Sequence, residues 1–103
     1  MSDRQLDQFH NQKVAPEELT RRRAQLFPMY KVILHNDDYN EMTYTIFALY
    51  HAVSNLTLSK AEQIMLTAHL TGQAVVTVCP KELAEHYQER LISYRLTATI
   101  EPA

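Results

Sequence analysis

Apolar positions along this chain follow two different periods, and the switches between them mark out the elements. Tyr30-Lys31-Val32-Ile33-Leu34-His35 is a run of β-forming residues that stops at Asn36-Asp37-Asp38, whose short polar side chains bond nearby backbone amides and so end a strand. From Met42 onward Met42, Ile46, Leu49 and Val53 step by three or four, the spacing of one helical face, and Ser54-Asn55 breaks the run. Ser59-Lys60-Ala61-Glu62 has the form of a capping box, so a second helix is predicted to start at Ser59. Its inner face reads Ala61, Ile64, Met65 and Ala68, and it ends at Gly72, the one glycine of the chain, where a left-handed residue is least strained. Ala74 to Val78 reads as a buried strand. Pro80 suits the first position of a third helix with an apolar stripe of Leu83, Ala84, Tyr87 and Leu91. Leu96, Ala98 and Ile100 then alternate along a last strand.

The predicted order is β-α-α-β-α-β. With so few strands and three helices, the expected fold is an α+β sandwich: a small, three-stranded, mainly antiparallel sheet covered on one face by helices. Residues 1–28 are mostly polar, with scattered apolar residues and no core-forming period, and read as a flexible N-terminal arm preceding a core over 29–103. Within the arm, Pro16-Glu17-Glu18 followed by Arg21-Arg22 offers a proline for a first turn and Glu-to-Arg pairs at i, i+4, so a transient helix is expected there.

Bulk properties narrow the functional classes. At 103 residues there is room for one domain. The formal charge of −2 and the single short basic run Arg21-Arg22-Arg23 imply no nucleic-acid-binding face. One cysteine, Cys79, excludes an internal disulfide and any Cys-rich zinc site. The apolar runs are too short for a membrane span, so a cytoplasmic or plastid interior is the expected location.

Two polar groups stand where chemistry is possible: Asn36-Asp37-Asp38 at a strand-to-helix turn, and His69 near the end of the second helix. In most proteins such a turn cluster only satisfies backbone amides. As an enzyme site, His35, Asp37, Asp38 and His69 would form a metal or proton-transfer set, but no HExxH, Gly-rich phosphate loop or flanked nucleophile accompanies them. Met42 and Met65, on the predicted inward stripes of adjacent helices, read either as ordinary core or as the wall of a pocket rimmed by Asn36, Asp37 and His69.

A known pattern chooses between these. The contiguous block Tyr30 to Tyr39 followed by Met42, then Met65-Leu66-Thr67-Ala68-His69 and Gly72, resembles the signature of the ClpS adaptor family, whose fold is similar to the C-terminal domain of ribosomal protein L7/L12. The resemblance implies a non-enzymatic adaptor, without cofactor or metal. Such an adaptor grips N-degrons, substrate proteins beginning with Leu, Phe, Tyr or Trp, and hands them to the N-terminal domain of a Clp Hsp100 unfoldase, ClpA or ClpC. It assigns Asn36, Asp37 and His69 to the α-amine and first peptide unit, with Asp38 supporting them by capping the following helix. It assigns Asn40, Met42, Thr45, Met65, Ala68 and Leu96 to a pocket for the first side chain, with Met42 as a gate against β-branched residues. Glu82 matches a position that contacts the unfoldase, and the N-terminal arm corresponds to an extension that engages it.

The chain departs from the family pattern at several points. Asn40 stands where relatives usually carry Thr, Thr45 and Ala68 where they carry larger β-branched residues, and Tyr87 where a lysine is common. Two alternatives stay open on sequence alone: a protein-interaction scaffold of the same fold without an N-degron pocket, and a metal-dependent hydrolase.

Overall fold

The computed structural model describes residues 15–19, 21 and 27–103. Its elements are β1 (Met29–His35), α1 (Met42–Ala52), α2 (Leu58–Thr71), β2 (Gln73–Pro80), α3 (Lys81–Ser93) and β3 (Thr97–Pro102), in the predicted order. The sheet runs β2-β1-β3, with both outer strands antiparallel to β1. Most of the expected arm over 1–28 lies outside the described residues. Residues 16–19 and 21 are helical, with an ion pair between Glu18 and Arg21 at i, i+3 and 3.5 Å, and Arg22, named in the expected i, i+4 pairing, lies outside the described residues. Pro28 is joined to the core, its carbonyl accepting from the Lys81 N–H at 3.1 Å.

One face of the sheet carries the core. Val32 and Leu34 of β1 and Ala98 of β3 alternate inward as a half-covered strand requires. In β2 the register steps from Val32↔Thr77 to Ile33↔Val75, so Val76 is an extra, bulged residue and the inward phase shifts from Ala74 and Val76 to Cys79. The sequence expectation of a buried second strand is therefore corrected: Val75 and Val78 are each 47% exposed, on the sheet face turned away from the core. Ile33 also lies outside the core cluster, yet it is buried between its register partners Val75 and Thr99 because β1 is the central strand.

The helices supply the other half of the core. α2 buries the predicted Ala61, Ile64, Met65 and Ala68. Its cap is Thr57, whose hydroxyl accepts the Lys60 N–H at 3.1 Å, so Ser59 is a helical residue and not the predicted cap. Gly72 ends the helix at φ 100°, its N–H closing on the Ala68 carbonyl at 2.8 Å. Of the predicted α1 stripe, Leu49 and Val53 are buried and Ile46 is half-buried, but the buried face is widened toward Thr45, Ala48 and Ala52, and Met42 is exposed. Small residues at 48 and 52 form a face that hydrophobicity alone underrates, and they let α1 pack against α2 and α3. In α3, Ala84, Tyr87 and Leu91 are buried, whereas Leu83 is 40% exposed. Pro80 is the residue before the helix and the last of β2, not its first helical position. Fully buried Leu34, Leu49 and Leu91 each contribute roughly 1.5–3 kcal/mol of apolar transfer.

This arrangement sets the geometry of one end of the molecule. The carboxyl end of β1, the amino end of α1 and the last turns of α2 converge there, and the Asn36 N–H donates to the Gly72 carbonyl at 2.9 Å.

Candidate functional site

The turn between β1 and α1 is organised by Asp37. Its Oδ1 accepts the Tyr39 N–H at 3.0 Å and the Asn40 N–H at 2.8 Å, the local turn that short polar side chains stabilise after a strand. Its Oδ2 accepts Asn40 Nδ2 at 3.0 Å. Burial pushes the Asp37 carboxyl up, but the bonds from the Asn40 backbone, the Asn40 side chain and the Tyr39 backbone outweigh it, and the pKa lies below its ordinary value. Asp37 is therefore a held anion at neutral pH. An ionised carboxylate offers about four acceptor positions. Three are occupied here, which leaves one, on Oδ2.

Beside this turn lies a cavity of about 230 Å³. Leu34, His35, Asn36, Asp37, Asp38 and Asn40 line it from β1 and its turn, Met42 and Thr45 from α1, and Met65, Ala68 and His69 from α2. Ten residues named from the sequence as an amine site or pocket wall were Asn36, Asp37, Asp38, His69, Asn40, Met42, Thr45, Met65, Ala68 and Leu96. All but Leu96 surround this one cavity. Leu96 is buried in the core cluster, its N–H bonded to the Leu91 carbonyl at 3.1 Å, and it is not among the lining residues.

The walls differ in character. Met65 and Ala68 are buried and Met42 is 45% exposed, so Met42 stands at the cavity's solvent edge while Met65 and Ala68 form its interior. Thr45 is the buried polar residue of the wall, and its hydroxyl donates to the Glu41 carbonyl at 3.2 Å, which satisfies the proton within the helix. Asn36 and Asp38 are exposed. The expected capping by Asp38 is corrected: α1 is preceded by Glu41, and no side chain caps it. His69 is exposed in the last turn of α2, facing the cavity opposite the turn.

Two lining residues escaped the sequence reading of the pocket. The sequence reading has Leu34 only as part of the first strand's β-forming run, and His35 only in that strand and the hydrolase alternative. Both line the cavity because it reaches beneath the end of β1, a depth that strand periodicity does not encode. The His35 Nε2 and the Thr99 hydroxyl are hydrogen-bonded at 2.7 Å across β1 and β3. Although His35, Asp37, Asp38 and His69 share the cavity, no group of three or more His, Cys, Asp or Glu among the described residues is arranged to hold a metal ion. No helix among the described residues is long and apolar enough to cross a membrane.

Comparison with known proteins decides the family. The family described as ATP-dependent Clp protease adaptor protein ClpS matches residues 25–99, most of the chain and the whole of the cavity's lining. The chain belongs to the ClpS family. It is therefore an adaptor and not an enzyme. The ATP-dependent Clp protease adapter protein ClpS of Gloeobacter violaceus is 47% identical over 91 residues, covering 86% of this chain and 98% of that relative. The ClpS of Synechococcus elongatus is 44% identical, over 84% of this chain and 90% of that protein. Chloroplastic CLPS1 of Chlamydomonas reinhardtii is 47% identical over 73% of this chain and 46% of its own length. Among solved structures, Agrobacterium tumefaciens ClpS2 bound to L-phenylalaninamide superposes with a TM-score of 0.68 at 30% identity, covering 74% of this chain and 98% of that one.

Proposed function

We propose that this ClpS protein binds the first residue of proteins that begin with Leu, Phe, Tyr or Trp and delivers them to a Clp Hsp100 unfoldase, ClpA or ClpC, through that unfoldase's N-terminal domain. The observation that carries the reading is the junction, in one cavity, of a fixed carboxylate with an apolar interior. L-phenylalaninamide, the ligand of the Agrobacterium relative, presents an α-amine, a benzyl side chain and a carboxamide, the three groups that the start of a peptide presents.

The amine and the side chain each have a complement here. The α-amine, with a pKa of about 8, is mostly protonated at neutral pH. Asp37 Oδ2 has an acceptor position for it, and the exposed Asn36 and His69 side chains flank the same opening. Charge-assisted bonds of this kind contribute about 1.5–3 kcal/mol each. The side chain enters between Met42, Met65, Ala68 and Thr45. A cavity of roughly 150 Å³ accommodates benzene, so 230 Å³ accommodates a phenyl ring or an isobutyl group with space remaining. Its burial contributes roughly 1.5–3 kcal/mol. After association costs, affinity on the order of micromolar follows, suited to a carrier that must release its cargo.

Delivery is assigned to Glu82, exposed in the first turn of α3, and to the N-terminal segment. Tyr87, one turn further along α3, is buried in the core and takes no part in a docking surface. The cyanobacterial and chloroplastic relatives support a bacterial cytoplasm or plastid interior as the place of action. The test is a titration with free-amine peptides differing only in the first residue. Saturable binding by Leu, Phe, Tyr and Trp peptides and none by Ala or Glu peptides supports the reading, and indifference to the first residue overturns it.

A further inference from the structure

Asn40 lines the cavity, but its amide is engaged elsewhere. Nδ2 donates one hydrogen to Asp37 Oδ2 at 3.0 Å and the other to the main-chain carbonyl of Arg95 at 2.9 Å. Both acceptors are oxygens, so both amide hydrogens are used, and no hydroxyl or carboxyl side chain could serve both at once. Arg95 belongs to the turn between α3 and β3 and holds φ at 67°, a left-handed state that a non-glycine residue keeps only where its surroundings impose it. The preceding carbonyl, of Tyr94, accepts the Tyr44 hydroxyl at 2.6 Å. Two side chains from the start of α1 and the turn before it thus clasp the α3–β3 turn, but only Asn40 reaches on to Asp37. The oxygen it holds is the one that retains an open acceptor position.

We propose that Asn40 is a positioning residue of the amine site: it aims the open edge of Asp37 Oδ2 into the cavity by anchoring that carboxylate to the α3–β3 turn. The inference rests on the reading of this cavity as a binding site for a peptide's first residue. It assigns Asn40 a role distinct from that of a wall residue, because removing a wall residue changes which side chain fits, whereas removing the anchor changes how every free amine is held. It also explains why Asp37 stays ionised despite burial, since the Asn40 side chain is one of the three donors that keep its charge. Other titratable side chains facing Asp37 are Asp38 on its own turn, His35 at the end of β1 and His69 on α2.

The experiment measures affinity for a free-amine Phe-initiated peptide between pH 3.5 and 8, with thermal unfolding of each variant, for wild type, Asn40→Ala, Asn40→Asp and Tyr44→Phe. Asn40→Ala is expected to bind about tenfold more weakly at neutral pH, the effect of one misaimed charge-assisted bond. Its acid limb, where binding is lost as Asp37 protonates, moves to higher pH. Asn40→Asp, which places a second carboxylate against the first, moves that limb further. Tyr44→Phe loosens the same turn without touching Asp37, and it is expected to keep both the neutral-pH affinity and the acid limb. Folded Asn40 variants that bind within about twofold of wild type with an unmoved acid limb overturn the proposal. Equal losses in Asn40→Ala and Tyr44→Phe, with no shift of the limb, overturn it as well, since that pattern is the signature of a loosened turn. Wild type failing to bind any free-amine peptide instead removes the N-terminal-residue site itself, and the anchor's role with it.

Discussion

The main-chain N–H of Asn36 donates to the carbonyl of Gly72 at 2.9 Å, so the turn that carries the amine-binding candidates is tied to the end of the helix that carries His69. The two sides of the cavity mouth, more than thirty positions apart in sequence, are held together by this backbone bond. It depends on Gly72 reversing the chain at φ 100°.

Gly72→Ala is therefore expected to destabilise the protein by about 1–2 kcal/mol, the cost of a left-handed residue bearing a Cβ. Nothing lies within 4 Å of the added carbon, so the loss is backbone strain and not a clash. Relief of that strain displaces the carbonyl that Asn36 uses, and affinity for a Phe-initiated peptide falls severalfold. Denaturant unfolding and peptide titration of the same variant check both parts.

Much of this was legible in the sequence. Element order, the α2 face and the left-handed Gly72 followed from apolar period and backbone preference. The errors share one physical origin, that tertiary packing chooses among locally equivalent options. Thr57 and Ser59 are both competent caps, and where α2 begins decides for Thr57. The α1 face is widened toward Ala48 and Ala52 because close helix packing favours small residues there, and Met42 stands at the solvent edge. The bulge at Val76 was invisible because it depends on pairing with β1. Nine of the ten site residues were brought to one cavity, and the role of Asn40 as an anchor emerged only from its contact with Arg95, 55 positions away.

The pH dependence of binding has a definite sign on each side. Above pH about 8 the free peptide's amine loses its proton, so affinity falls by up to about tenfold per pH unit. Toward acid, the lowered pKa of Asp37 keeps its carboxylate charged below the usual carboxylate range, so loss of binding through Asp37 sets in only below that range. The same shift contributes to stability above the unfolded-state pKa, and this contribution is lost as pH falls through the lower folded value. Calorimetric titration across this range checks the profile, and a rise in affinity above pH 8 contradicts it.

Met42 stands at the solvent edge of the cavity, where the proposed gate against β-branched first residues would act. If Met42 narrows the entrance, a first residue with an unbranched Cβ is expected to pass, whereas Val and Ile carry two heavy substituents at that point with few alternative rotamers. Met42→Ala is expected to raise the Ile-to-Leu affinity ratio even as the truncated wall weakens every ligand. Competition among Leu, Phe, Ile and Val peptides on wild type and variant measures it, and an unchanged ratio removes Met42 from the gate.

Capture and delivery are expected to be separable. Glu82 lies on α3, outside the cavity, and residues 1–26 precede β1. Deleting residues 1–26, or substituting Glu82→Lys, is expected to leave peptide affinity unchanged while slowing degradation of a Phe-initiated substrate by the reconstituted unfoldase and protease. Full-rate degradation by both variants would remove these two features from the delivery step.

The most direct test of the central claim compares one Phe-initiated peptide with a free amine against the same peptide acetylated, titrated into the folded protein. Acetylation removes the cation and leaves Asp37 facing an uncharged amide, so binding is predicted to weaken about tenfold or more, with Asp37→Ala weakening the free-amine peptide to a similar degree. Equal affinity for the free and acetylated peptides would contradict the assignment of this cavity to the α-amine of a peptide's first residue.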